Sequence, residues 1–155
     1  MNNNVKAYNL RVYGILLNRE EELLLSNEVL KGRSFTKFPG GGHELGEGLI
    51  DGLKREFKEE LNIEIDAVKH FYTTDYFQES AFNAKEQLIS VYYLVESTQA
   101  EQIKSGTSAV DDINNTFFWK KLADLEVDNF TFPVDQLVLE KLKAKPIPSF
   151  FDLVG

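Results

Sequence analysis

The chain contains no cysteine, and that one absence removes disulfide frameworks, thiolate nucleophiles and cysteine-based zinc or iron–sulfur sites together. Histidine is nearly as scarce: His43 and His70 are too few for a multi-histidine zinc site. No stretch approaches the roughly 18 uninterrupted apolar residues of a membrane span, and the opening Met1-Asn2-Asn3-Asn4 lacks the basic region and apolar run of a leader. A cytoplasmic protein with no membrane partner is therefore expected. Positive charge is also short, 17 Lys and Arg against 25 Asp and Glu, for a net charge of −8 and a pI near 4.8. Such a balance repels nucleic-acid polymers, whose binding depends on cations neutralising many phosphates. A phosphate-bearing ligand would need a divalent cation as intermediary. Internal repeats and low-complexity segments are lacking too.

What is present suits one globular domain spanning residues 1–155, with apolar residues at 43% and enough length to bury roughly two thirds of the unfolded surface. Leu10 to Leu17, a polar turn over Asn18 to Glu22, and Leu23-Leu24-Leu25 predict a strand hairpin. Lys31 to Ser34 resemble a loop, Phe35 to Phe38 a short strand, and Pro39-Gly40-Gly41-Gly42 a sharp backbone break. A helix follows, from about Glu47 to Leu61. Ile63 to Phe77 and Gln87 to Glu96 are rich in β-branched and aromatic residues, with Leu88 to Val95 the clearest strand. Ser97 to Ala109 is polar and predicts a loop, and Thr116 to Trp119 a last strand. Pro133 opens a helix with Val134, Leu137, Val138 and Leu142 on one face. Strands and helices without regular βαβ alternation indicate α+β.

Chemistry concentrates in the first helix. At 100° per residue Ile50, Leu53, Phe57 and Leu61 fall within about 80° and predict a core stripe. Glu56, Glu59 and Glu60 crowd the adjoining edge, where like charges three and four residues apart each cost a few tenths of a kcal/mol. They also oppose the helix dipole. A solvated acidic face, softened by Lys54, Lys58 and the Arg55–Glu59 pair, is the ordinary explanation. The glycine run just before the helix points the other way, because it frees the backbone to approach a ligand or turn carbonyls toward a cation. Clustered carboxylates of this kind suit Mg²⁺ or Mn²⁺.

Gly41, five residues, Glu47, seven residues, then Arg55-Glu56-Phe57-Lys58-Glu59-Glu60-Leu61-Asn62-Ile63 resembles the Nudix box, G-x₅-E-x₇-R-E-U-x-E-E-x-G-U with U a bulky apolar residue. One defined position departs: Asn62 stands where the family has glycine, and asparagine is the next most tolerant residue of a left-handed helix cap. The resemblance implies an α/β/α sandwich with a mixed sheet between helices. It further implies hydrolysis of a diphosphate linkage in a small nucleotide-like substrate, by water attack on phosphorus with Mg²⁺ or Mn²⁺. Carried over, Glu56, Glu59 and Glu60 with the Gly40 carbonyl become the metal set. Arg55 and Glu47 brace the loop, and Glu56 or Glu59 takes the water proton, with Glu56 favoured. Homodimers are common in the family.

Outside the box, Asp111 and Asp112 are candidates for an extra carboxylate, against the ordinary fate of acidic turn residues. Phe71, Tyr72, Tyr76, Phe77 and Phe82 are candidates for stacking a base, against core packing. His43 sits where it could touch phosphate or simply lie at the surface; His70 reads as structural. Two rival functions stand beside hydrolysis. A nucleotide sensor on this fold tends to lose box carboxylates, all of which are present here, and diphosphate isomerisation in the family relies on a cysteine the chain lacks. The box does not select among nucleoside diphosphate sugars, dinucleoside polyphosphates and oxidised nucleoside triphosphates.

Overall fold

The computed structural model describes residues 4–144, so the Met1–Asn3 opening lies outside the described residues. The elements in chain order are β1 (Ala7–Leu16), β2 (Glu22–Leu30), β3 (Arg33–Lys37), β4 (Gly40–Gly42), α1 (Leu49–Leu61), β5 (Asp66–Thr73), β6 (Glu86–Glu96), β7 (Thr107–Ala109), β8 (Asp112–Lys121) and α2 (Pro133–Lys143). Strands β4-β1-β6-β5 make one sheet and β3-β2-β8-β7 a second. The first is mixed, because β1 and β6 run parallel while its other pairs are antiparallel. The second is antiparallel throughout.

Alternation along the strands sends successive side chains to opposite faces, and here each face belongs to one helix. Val12 and Leu16 of β1, with Leu24 and Phe117, pack with Leu53 and Phe57 of α1. Tyr13 and Ile15, with Leu23, Leu25 and Tyr92, pack instead with Val134, Val138, Leu139 and Leu142 of α2. Sheets thus lie between two helices, and the class is α+β. A Cβ on Gly14 would stand 2.8 Å from the Phe57 ring, so this glycine is what lets α1 settle onto β1. Among the described residues no helix is long and apolar enough to cross a membrane.

Several boundaries differ from expectation for local reasons. The expected β1–β2 hairpin does not form a ladder: the two strands belong to different sheets, and among the described residues a single bridge, Leu17–Leu23, joins their ends. Both runs are buried, so each needs two covered faces, which a half-exposed hairpin would not supply. The hairpin is β2–β3, turned by Lys31 and Gly32 at φ 52° and 76°, the two positive angles of a tight reversal inside what was expected to be a loop. Gly40–Gly42 are a short strand on β1, not merely a break. The expected loop Ser97 to Ala109 contains β7. Ile50 is exposed and outside the apolar cluster, because the stripe engages only from the second turn onward.

Candidate active site

The loop before α1 is folded around one ion pair. Arg55 donates from Nε to Glu47 Oε2 at 3.0 Å and from a terminal nitrogen to Oε1 at 2.9 Å, a two-toothed contact. The same nitrogen reaches the Gly42 carbonyl at 3.1 Å, tying strand, loop and helix together. The backbone N–H of Glu44 adds a bond to Glu47 Oε1 at 3.0 Å, and the His43 ring nitrogen lies 2.6 Å from the Glu47 carbonyl. Arg55, then the Glu44 amide, hold the Glu47 carboxyl down at about 2. A Cβ on Gly52 would stand 2.6 Å from Glu47 Oε1, so α1 carries glycine where the carboxylate crosses it. His43 therefore shapes the loop.

Beyond this brace lie the remaining carboxylates. The other terminal nitrogen of Arg55 is 3.2 Å from Glu56 and 3.2 Å from Glu59, the latter exposed. Glu56 also lies against the Gly41 backbone, where an added Cβ would come within 2.6 Å of its carboxylate. Glu60 is lifted to about 8, first by burial and then by Glu56, with Asp111 adding to the rise and Lys37 opposing it. Asp111 thus reaches the neighbourhood of the box, carried there by the Val110 N–H bond to the Glu60 carbonyl at 2.9 Å. Asp112 instead accepts from the Asn114 amide, the work of a turn residue. Gly40 sits opposite Tyr13 at φ 148°, where a Cβ would fall 2.1 Å from the Val12 carbonyl. Asn62 caps α1 at φ 55° and ψ 37°, its N–H on the Lys58 carbonyl, so the left-handed position is kept.

As the side chains stand, among the described residues no three carboxylates or imidazoles converge as a ready metal cage. Glu56 and Glu60 come together, whereas Glu59 is turned to Arg55. The donor set nevertheless fits a hard divalent cation: it is all oxygen, and two neighbouring carboxylates on one helix edge hold negative charge that a cation would offset.

On the α2 side of the first sheet opens a cavity of about 140 Å³, comparable to an apolar hollow that holds one aromatic ring. Its floor is three parallel cross-strand pairs, Asn9–Leu88, Arg11–Ser90 and Tyr13–Tyr92, the last stacked at 5.2 Å. Phe35, Phe82 and Phe132 form an aromatic wall, with Phe35 and Phe132 stacked at 5.7 Å and Phe82 edge-on to both. Asp135 closes the end, fully buried, accepting from the Tyr92 hydroxyl at 2.6 Å. Burial pushes its carboxyl up to about 7, although Tyr92, Lys37 and Arg11 all pull it down.

A family model described as the NUDIX domain matches residues 7–153. The chain belongs to the Nudix family. Nudix hydrolases as a family cleave nucleoside diphosphate-linked compounds and generally use divalent metal ions, and this chain is a Nudix hydrolase. Its fold is shared with the MutT protein of Methanosarcina mazei Go1, at 17% identity over 90% of this chain and 95% of that one, with a TM-score of 0.67. A MutT Nudix hydrolase of Burkholderia pseudomallei is similar at 19% identity, 88% and 98% coverage and a TM-score of 0.65. The E. coli ORF135 protein is similar at 17%, 90% and 91%, with 0.66. No curated protein matches the chain.

Within this Nudix chain the sequence pattern located the box and overlooked most of the cavity. Of the candidate aromatics, Phe82 lines it, while Tyr72 is in the core and Tyr76 and Phe77 lie partly exposed. His70 bonds to Thr73 on β5, and Trp119 donates to the Ile103 carbonyl, so both hold structure. Asp135 had a usable signal. Setting Val134 at 0°, Val138, Leu142 and Leu139 fall at about 40°, 80° and 140°, and Asp135 at about 100°, inside the buried arc. A carboxylate amid an apolar arc breaks the local rule, which is where function is expected.

Proposed function

We propose that this Nudix chain, acting as one domain, hydrolyses the phosphoanhydride of a nucleoside di- or triphosphate derivative. The observation that carries the reading is an aromatic cavity, sized for one planar ring, that shares two residues' surroundings with the box: Arg11 pairs with Gly42 and feels the charge of Glu56, and Lys37 acts on Glu60. Apolar aromatic faces with a few placed polar groups are what a nucleobase requires, and Asp135 and Ser90 supply polar edges. Glu56, Glu59 and Glu60, with the Gly40 carbonyl, would hold Mg²⁺ or Mn²⁺. Such a cation would screen the polyanion from an acidic protein, polarise phosphoryl oxygens and lower the pKa of bound water. Glu56, set against the Gly41 backbone where α1 packs on β4, takes the proton from the attacking water. Arg55 and Glu47 keep that junction in register without touching the reacting atoms.

The test is a panel of nucleoside diphosphate sugars, dinucleoside polyphosphates and nucleoside triphosphates, incubated with Mg²⁺ or Mn²⁺ and with a chelator. Turnover of at least one compound, abolished by chelation, is expected, and ¹⁸O-labelled water identifies the phosphorus attacked. If none turns over while one raises the melting temperature, the chain is a binding module, because binding stabilises without chemistry.

A further inference from the structure

Arg11 is a cation placed between the two halves of the site and claimed by neither. It lines the cavity floor on β1, paired in register with Gly42 of the box on one side and Ser90 on the other. A Cβ on Gly42 would lie 3.8 Å from an Arg11 terminal nitrogen, so the guanidinium reaches the glycine run itself. Its Nε donates to the Tyr13 hydroxyl at 2.6 Å, which fixes the fork in place. Among the described residues no carboxylate lies within ion-pair distance of it, and its terminal N–H groups have no hydrogen-bond partner. Nor do they count among sealed, unsatisfied atoms, since none of those occurs among the described residues; they open into the cavity. A planar fork held in place against an aromatic pocket is the arrangement that grips phosphate oxygens in pairs.

Lys37 stands on the facing wall. It lines the same cavity from β3, is 3.4 Å from Glu28, and lies near enough to Glu60 for its charge to be felt there. The two cations come from different sheets and flank the route from the aromatic wall to the box. Burial costs Arg11 hydration, which the Tyr13 hydroxyl and ring and the more distant charges of Glu56 and Glu28 offset, yet none of these occupies its terminal N–H groups.

We propose that Arg11, assisted by Lys37, holds the phosphate directly bonded to the nucleoside, and so makes this site specific for nucleoside 5′-phosphates over nucleosides. This rests on the hydrolase reading above for its substrate class. With the base against the wall of Phe35, Phe82 and Phe132, the first phosphate comes to Arg11 and the next anhydride faces Glu56 and Glu60. Arg11 is then a specificity-determining contact, while Arg55 remains a brace.

The test is binding without chemistry. Calorimetry in chelator compares the four common ribonucleoside 5′-monophosphates with their nucleosides, on wild type, Arg11→Gln, Arg11→Lys and Lys37→Gln. Wild type should bind at least one monophosphate about tenfold to hundredfold more tightly than its nucleoside, the worth of a charge-assisted pair. Arg11→Gln should erase that ratio with nucleoside affinity unchanged, Arg11→Lys should restore part of it, and Lys37→Gln should lower it several-fold. In turnover assays with metal, Arg11→Gln should raise KM with a smaller change in kcat. A wild-type ratio near one, or a ratio that survives Arg11→Gln, overturns the proposal; so does a failure of every monophosphate to bind. Should Arg11→Gln fold poorly by circular dichroism, the Lys37→Gln ratio decides, and an unchanged value sinks it. The hydrolase reading fails separately. A monophosphate preference without any turnover leaves the Arg11 assignment standing, whereas chelator-sensitive turnover with no preference leaves only hydrolysis.

Discussion

Glu60 and Asp135 are both carboxyls pushed up toward neutrality, and burial is the larger cause in each, but their neighbours act in opposite directions. Around Glu60, Glu56 and Asp111 drive the proton on, and Lys37 opposes them. Around Asp135, Tyr92, Lys37 and Arg11 all work to remove the proton, and burial still prevails. One region is short of positive charge; the other already has it and is short of water. The first is suited to capturing a cation and the second to enclosing a flat apolar group with one polar edge. Two deficits of different kind, joined by β1, describe a site that takes a charged chain at one end and a ring at the other.

The sharpest way to break that contrast is to neutralise the crowded end. Glu56→Gln and Glu60→Gln should each lower turnover roughly a thousandfold, about 4 kcal/mol of transition-state stabilisation, and weaken Mn²⁺ binding seen by water-proton relaxation. A drop of only a few-fold would mean a solvated acidic face. Next in size, Arg55→Ala should cost about a hundredfold in kcat/KM with the overall fold retained by circular dichroism, a misplacement effect. Arg55→Lys should recover little, because one ammonium cannot replace the two-toothed bond to Glu47.

The enclosed end is tested through pH. Asp135 has a folded value of about 7 against 3.8 for the free side chain, so the fold favours its protonated form. Its contribution is fully present below the unfolded value and is lost as pH rises through the folded one, with a slope up to about 1.4 kcal/mol per pH unit. Glu60 acts with the same sign, so the readout is the difference between proteins. Urea unfolding at several pH values from 5 to 8 should show a shallower decline for Asp135→Asn than for wild type; parallel curves would show that Asp135 titrates normally. The smallest effect belongs to Asn62→Gly, expected within about 0.5 kcal/mol because both residues accept the left-handed cap. A larger loss would reveal a side-chain role for Asn62.

How much of this was legible in the chain follows from sequence distance. Glu47, Arg55, Glu56, Glu59 and Glu60 lie on a loop and one helix, so their spacing alone brings them together. Asn62 was readable as a cap because its conformation is set locally. The cavity draws on β1, β2, β3, β6, the residues near Phe82 and the start of α2, and no local period relates Arg11 to Asp135. The β1–β2 error has the same origin. A polar turn between two apolar runs specifies a reversal of direction, but whether the strands bond to each other or pack face to face depends on partners far along the chain. Asp111 and Asp112 show the limit from the other side, since adjacent carboxylates in one turn have different surroundings.

The parallel pairing of β1 with β6 sets an order of assembly. Every bonded pair in it, from Ala7–Glu86 to Leu16–Val95, joins residues 79 positions apart, whereas the Arg55–Glu47 contact spans only 8. Contacts over such separations close slowly, because chain entropy is lost before they are rewarded. During refolding the helix and its brace therefore have the means to form while the cavity floor is still open. A chain stalled at that stage would display the family's most recognisable segment and have nowhere to seat a base.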